Sequence, residues 1–316
     1  MRILLLGANG QLGRCFIKQG GLSERGELFA ASRDGQLTEG GDGYVADLSD
    51  TSSLRAVLHQ LHPDVVINTA AYTAVDRAEE EENLALRING EAVAELGQWA
   101  RVHNALVVHY STDYVFNGEA RTPYGVGAQT DPLGAYGRSK LAGELALAAS
   151  GAAHFNFRTA WVYAAHGQNF LRTMLRLGAE RDELSVVVDQ IGAPTSTNLI
   201  VAGTLAALDR WLHASVETRS ALEGTHHLVA SGKTSWHGFA EAVFAGAVDR
   251  GLLSKRPLVR AIGTSDFPTR ARRPAYSVLD NQGFHSHFGI PLPDWKIGLE
   301  QVLDTMTLPS STEKSC

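Results

Sequence analysis

The chain has 316 residues, room for one large domain or two at roughly 150 residues each. Hydrophobic residues make up 44% and charged residues 20%, which excludes the charge-rich, apolar-poor composition of a disordered chain. A formal net charge of −6 excludes an overall basic footprint for nucleic acid, though not an anionic ligand held by local dipoles and a few arginines.

No stretch approaches the ~18–20 apolar residues of a membrane span, so no membrane partner is expected. Met1 to Leu6 is apolar for only a few residues before Gly7, short of the ~7–15 of a signal peptide's hydrophobic region, and reads as a first strand. The two cysteines, Cys15 and Cys316, make no disulfide framework, and a reducing cytoplasm is the expected compartment.

Up to about residue 165 the pattern repeats as strand, loop, helix. Strands are expected at Ile3–Leu6, Leu28–Ala31, Tyr44–Ala46, Val65–Asn68, Ala105–Tyr110 and Phe155–Arg158. Helices are expected at Gln11–Gln19, Ser52–Leu61, Glu79–Val102 and Tyr136–Ala149. Strands apolar throughout, such as Val65-Val66-Ile67, suit a parallel sheet covered on both faces. The fold class is α/β: a doubly wound parallel sheet of Rossmann type with a smaller C-terminal α/β region. Residues 1–165 then form a nucleotide-binding domain and 166–308 a substrate-binding region interleaved with it. The polar segment 309–316 is expected to be a frayed tail. In the second region Leu184–Val188 and His226–Ala230 read as strands, and Asn198–Leu212 and Trp236–Val248 as helices, the latter with Thr234 or Ser235 as N-cap. Gly263–Pro274, with Arg270, Arg272 and Arg273, reads as a basic loop.

Gly7-Ala8-Asn9-Gly10-Gln11-Leu12-Gly13 follows the first strand and opens a helix. Early glycines permit a tight turn close to a pyrophosphate, the last lets helix and strand pack, and the helix start offers free N–H groups. Gly7, Asn9, Gly10, Gln11, Leu12 and Gly13 are therefore candidate cofactor contacts. The second strand ends Ser32-Arg33-Asp34. Arg33 offers a guanidinium to the 2′-phosphate of NADPH, while Asp34 keeps NADH open. Asp47 and Leu48 fall near adenine, and small residues at Ala70 and Ala71, followed by Tyr72, let the backbone pass close to a dinucleotide.

Tyr136 and Lys140 lie four residues apart, on one helix face. A phenol with a reference pKa near 10 is a poor acid–base at neutral pH, and a neighbouring ammonium favours its ionised form. Ser111-Thr112-Asp113 sets a hydroxyl at the carboxyl end of a strand, where open α/β sheets bind ligands. Thr112, Tyr136 and Lys140 are the candidate catalytic residues, with Tyr136 and Lys140 also against the cofactor. His109 on its apolar strand, the His226-His227 pair, Cys15, Trp99 and Phe239 read as core, and no metal site is expected.

These residues resemble the extended short-chain dehydrogenase/reductases, and several segments resemble one branch of them, the dTDP-4-dehydrorhamnose reductases. They are the glycine loop, Asn68 to Asp76, Ser111 to Phe116, Arg158 to Tyr163, Asp189-Gln190-x-Gly192-x-Pro194-Thr195 and Arg273-Pro274. The resemblance implies NADPH-dependent reduction of the C4 ketone of dTDP-4-dehydro-L-rhamnose, the last step of dTDP-rhamnose synthesis. It implies Tyr136 as proton donor, Lys140 as its tuner and a nicotinamide-ribose contact, and Thr112 on the reacting carbonyl. Asp113, Tyr114 and Trp161 would line the sugar and nucleotide site, with Arg273 near the diphosphate. Some members hold magnesium through glutamates at a dimer interface, so magnesium and a homodimer belong to what the resemblance implies, although no metal-binding spacing is legible here. The loop Tyr124–Pro132 contains Asp131 but lacks the further acidic residues common in the branch. A reductase of another keto-deoxy sugar nucleotide is the main alternative, and a non-catalytic regulatory subunit on the same fold a further one. Tyr114, where dehydratases carry a glutamate, argues against elimination, and Arg33 against an epimerase.

Overall fold

Strands covered on both faces have no polar side to show, and the apolar runs of this chain meet at the centre of one sheet. In the computed structural model, which describes residues 1–306, the sheet contains β1 (Arg2–Leu6), β2 (Glu27–Ser32), β3 (Tyr44–Val45), β4 (Val65–Asn68), β5 (Leu106–Thr112), β6 (His154–Thr159) and a seventh strand, Gly224–His227. The expected tail, 309–316, lies outside the described residues. All neighbours run parallel, in the order seventh strand, β6, β5, β4, β1, β2, β3. Register sets Ile3 beside both Leu28 and Val65, and Asn68 beside His109. The winding reverses between β1 and β4, and the crevice beyond their carboxyl ends is where such sheets bind ligands.

Alternation along the strands divides the core in two. Ile3, Leu5, Ile67, Val108 and Phe157 pack with Phe16, Ile200 and Phe284, while Leu4, Leu6, Val66 and Val107 pack with Leu54, Leu58, Leu96 and Leu147 on the opposite face. Each such side chain, fully buried, contributes about 1.5–3 kcal/mol. Helix α1 (Gln11–Gln19) ends at Gly20, whose φ of 71° lets its N–H bond back to Phe16 and Ile17. Helix α2 (Thr51–Leu61) starts at Asp50, whose carboxylate accepts from Ser52 N.

The expected long helix Glu79–Val102 is broken into Glu82–Leu86, a π-turn at Arg87–Glu91 and Ala92–His103. Asn89 in the π-turn accepts from Tyr72 N and donates to Tyr72 O and Ser139 Oγ, so the extra residue in the turn serves tertiary bonds that a regular helix would misdirect. The strand expected at His226–Ala230 runs instead over Gly224–His227, paired with β6. With helices Thr197–Leu212 and Gln282–Phe288, it brings chain from beyond residue 165 onto the sheet. Helix Phe170–Glu180, capped by Asn169, helix Trp236–Asp249 and helix Trp295–Asp304, capped by Asp294, build a third core of Leu171, Met174, Phe239, Phe244 and Trp295. Ser235 caps helix Trp236–Asp249. Cys15, Trp99 and Phe239 are buried, and His226 and His227 are buried with one ring nitrogen each on a backbone carbonyl. Among the described residues no helix is long and apolar enough to cross a membrane, and no group of three or more His, Cys, Asp or Glu could hold a metal ion.

Candidate active site

The turn after β1 is built for close approach. Gly7 has φ of 76°, and a Cβ there would stand 2.6 Å from Ala70 N; a Cβ on Gly13 would stand 2.3 Å from Gly7 O. Any side chain at either position would fill the cradle or push α1 off β1. No side chain caps α1, so its first N–H groups and positive dipole end face the crevice. That is the fit a pyrophosphate requires.

A cleft of about 480 Å³ opens there, lined by Gly7, Asn9, Gly10, Gln11 and Leu12, by Arg33, Asp47 and Leu48, by Ala70 and Ala71, and by Tyr136 and Lys140. Gly13 packs beneath the turn, against Gly7 O and Ala8. Asn9 braces the wall: its Nδ2 donates to Gln36 O at 2.7 Å and its Oδ1 accepts from Thr38 N at 2.8 Å. Arg33 is exposed and makes no ion pair among the described residues. Asp34 is engaged: Gln36 N–H and the Ser32 hydroxyl bond its carboxylate and hold its pKa below the usual range. Asp47 accepts from Ser49 N and Oγ at 2.8 and 2.7 Å.

Helix Ala135–Ala149 carries Tyr136 and Lys140. The acidic run before it holds its start: Glu79 Oε1 accepts from Ala135 N at 2.8 Å, and Glu82 pairs with Arg138. Glycine again sets the spacing, since a Cβ on Gly137 would meet Tyr114 O at 2.3 Å and one on Gly143 would meet Asn89 O at 2.1 Å. The helix therefore lies against both the Thr112–Tyr114 turn and the π-turn. The Tyr136 ring meets Tyr114 edge-on, centroids 5.6 Å apart. Thr112 Oγ1 donates to Asp113 Oδ1 at 3.1 Å and accepts from Tyr114 N at 3.2 Å.

Burial pushes the Tyr136 phenol up to about 12, with the Thr112 hydroxyl pulling the other way. Lys140 is 2% exposed, and burial pulls its ammonium down to about 8. Its Nζ donates to Tyr110 O at 2.6 Å and lies 3.1 Å from His109 Nε2. Asp113 is 2% exposed, its Oδ2 has no partner among the described residues, and burial raises it to about 6. Between about pH 4 and 6 the folded state keeps a proton that the unfolded chain has released. Asp113 therefore contributes stability at low pH that is lost as pH rises through that window. Asp113→Asn removes this dependence, and urea titrations should find it about 1–3 kcal/mol more stable at pH 7 than the parent, with little difference at pH 4. Equal offsets at both pH values would show that Asp113 does not carry the dependence.

Two expected contacts are engaged by protein partners. Tyr72 turns its hydroxyl to Glu81 Oε2 at 2.6 Å. Arg273 grips Asp76 with both terminal nitrogens, at 2.8 and 3.1 Å, beside Tyr114. With Arg270 on Glu80, the basic loop is clasped to the acidic stretch after β4. Trp161 stacks face to face on Trp236, centroids 3.6 Å apart, at a backbone φ of 48°. Gly192 makes this possible, as a Cβ there would stand 2.4 Å from the indole. Sequence reasoning passed over Ser111 and Thr159, buried hydroxyls that line the cleft and have no partner among the described residues. Their signal was position alone, at the ends of adjacent strands. It also passed over Asn89, whose role depends on a π-turn with no sequence mark.

The family model described as the RmlD substrate binding domain matches residues 1–308. A dTDP-4-dehydrorhamnose reductase of Burkholderia thailandensis is 44% identical over 303 residues, 94% of this chain and 96% of that protein. Among solved structures, a dTDP-4-dehydrorhamnose reductase from Clostridium acetobutylicum superposes with a TM-score of 0.85 at 35% identity, covering 97% of this chain and 99% of that one. The Bacillus anthracis dTDP-4-dehydrorhamnose reductase, solved in complex with NADP, gives 0.83 at 32% identity, covering 96% and 99%. Full-length agreement at this identity, on top of a glycine cradle and an enclosed Tyr–Lys helix, leads to one conclusion: the chain belongs to the dTDP-4-dehydrorhamnose reductase family.

Proposed function

We propose that the protein reduces the C4 ketone of dTDP-4-dehydro-L-rhamnose to dTDP-L-rhamnose with NADPH. The observation that carries this reading is the meeting of Tyr136 and Lys140 on the wall of a cleft that also holds the glycine cradle. Bound NADPH supplies the hydride. Tyr136, at about 12, is fully protonated at neutral pH, the state a proton donor needs, and gives its proton to the oxygen as negative charge develops there. Thr112 offers that oxygen a second hydroxyl by turning its one proton away from Asp113 Oδ1, and the Lys140 ammonium favours the phenolate left behind. Asp113, Tyr114 and Trp161 are the sugar-side wall. Arg273 reaches a diphosphate by exchanging Asp76 for it, a trade between two oxygen-rich anions that its fork accommodates. Among the described residues of one chain no acidic cluster fits magnesium, and no step is assigned to it. The buried Cys15, in no disulfide among the described residues, suits a reducing compartment.

The test is NADPH absorbance followed with dTDP-4-dehydro-L-rhamnose against other keto-sugar nucleotides, with and without magnesium. Preference for another sugar would move the assignment to that substrate; no turnover with any would overturn it. Arg33 and the engaged Asp34 favour NADPH over NADH. Arg33→Ala should weaken NADPH about tenfold to hundredfold in titrations and leave NADH nearly unchanged, because a charged hydrogen-bond partner of the 2′-phosphate is lost. Equal losses for both coenzymes would place 2′-phosphate recognition elsewhere.

A further inference from the structure

We propose that His109 is a positioning residue that links the proton on Lys140 to the orientation of the Asn68 amide. The inference rests on the reading of Lys140 as the partner of Tyr136. The chain of contacts is short. Asn68 Oδ1 accepts from Ala70 N at 3.2 Å, which turns its Nδ2 toward His109 Nδ1, also at 3.2 Å. His109 Nε2 faces Lys140 Nζ at 3.1 Å, and that nitrogen donates to Tyr110 O. Asn68, His109 and Lys140 are all at most 2% exposed, so solvent cannot repair a mismatched contact.

An imidazole enclosed in this way is neutral, its pKa driven well below the ordinary value by burial, and so carries a single ring proton. With the Asn68 Nδ2 donating to Nδ1, the ring proton sits on Nε2. The contact with Lys140 is then a hydrogen bond only if Lys140 is an amine offering its lone pair. An ammonium at Lys140 needs a bare Nε2, which moves the ring proton to Nδ1 and requires the Asn68 amide to turn its oxygen inward. Ala70 N–H, on the wall of the cleft, is released in that turn. The proton count balances: one proton enters at Lys140, and the ring proton changes nitrogen.

Around this pair β4 supplies Asn68, β6 supplies His154 near the ring and Asn156 in register with His109, its Nδ2 on Thr225 Oγ1, and the helix supplies Glu144 near Lys140. Glu144 is already bound by Arg158 at 2.7 Å. None of these takes over the ring nitrogens.

The experiment is 15N NMR of the histidine-labelled, full-length protein without coenzyme, across pH 6 to 10. The His109 ring should remain neutral and shift its proton from Nδ1 to Nε2 as pH rises through the Lys140 step at about 8. A ring fixed in one tautomer, or one that becomes cationic, overturns the proposal. This readout needs no turnover, so it separates from a failure of the reductase assignment, which would show as an inactive parent with the tautomer exchange intact. His109→Leu gives a second measurement. An ammonium loses more than an amine when this acceptor goes, since charged hydrogen bonds are about twice as strong. The alkaline fall of kcat should therefore move down by about one pH unit, a tenfold change in the Lys140 proton equilibrium. An unmoved alkaline limb in a folded variant also overturns the proposal.

Discussion

Replacing Tyr136 with Phe lowers kcat by about 10²–10⁴-fold, the range expected when a positioned proton donor is removed from the transition state. The ring stays, and with it the edge-on contact with Tyr114 at 5.6 Å and the wall of the cleft, so coenzyme affinity is retained. The single missing atom is the hydroxyl beside Thr112. Stopped-flow or steady-state NADPH oxidation measures the first quantity, and fluorescence titration of NADPH the second. Because the phenol is held at about 12, the parent shows no acid limb from Tyr136 below neutrality, and its alkaline limb belongs to Lys140 at about 8. A variant that keeps a tenth or more of the parent kcat would leave the proton to come from another group, with the Thr112 hydroxyl the neighbour at hand. A variant that loses coenzyme affinity in parallel would point to a collapsed cleft instead.

The sheet and the glycine cradle were legible because each rests on local chemistry. β1, β4 and β5 carry the apolar runs Ile3–Leu6, Val65–Ile67 and Leu106–Val108, and Gly7 and Gly13 sit where a Cβ cannot. The Tyr136–Lys140 face follows from helical spacing alone. What escaped the sequence depends on partners distant in the chain. The π-turn at Arg87–Glu91 exists to aim Asn89 at Tyr72 and Ser139, and nothing in Arg-Ile-Asn-Gly-Glu announces it. Glu79 reads as an acidic helix start, yet its carboxylate caps a helix that begins 56 residues later. Arg273 reads as a free cation, yet Asp76, 197 positions away, takes its guanidinium. His109 reads as plain core; it is core, but its two ring nitrogens face Asn68 and Lys140. Charge and burial in a single side chain set what it can do, whereas its partner is chosen by topology.

Arg158 shows the same distinction with a larger energetic consequence. It opens the Arg158-Thr159-Ala160-Trp161 segment that ends at Trp161, proposed for the sugar-side wall, but its own side chain points into the protein. Arg158 and Glu144 are 6% and 5% exposed, with Nε at 3.1 Å from both carboxylate oxygens and Nη2 at 2.7 Å from Oε2. Nη1 donates to Val126 O at 3.0 Å, and the guanidinium lies over the Phe116 ring at 5.1 Å. Arg158→Met keeps much of the volume and leaves Glu144 as an uncompensated buried carboxylate, which destabilises by about 3–5 kcal/mol at pH 7. The deficit shrinks in acid, because the orphaned carboxyl takes up a proton in the folded state more readily than in the unfolded chain. Pairing it with Glu144→Leu removes the stranded charge, and urea titrations should recover most of the loss, leaving the unpaired Val126 carbonyl as the residue of about 1–3 kcal/mol. A single variant within about 1 kcal/mol of the parent, or a double variant no better than the single, would mean that water reaches the pair. Since Glu144 sits one turn beyond Lys140 on the same helix, the double variant also separates stability from catalysis: a fold restored without the pair, with kcat unchanged, makes Arg158 a brace for the Tyr136 helix and not a participant in its chemistry.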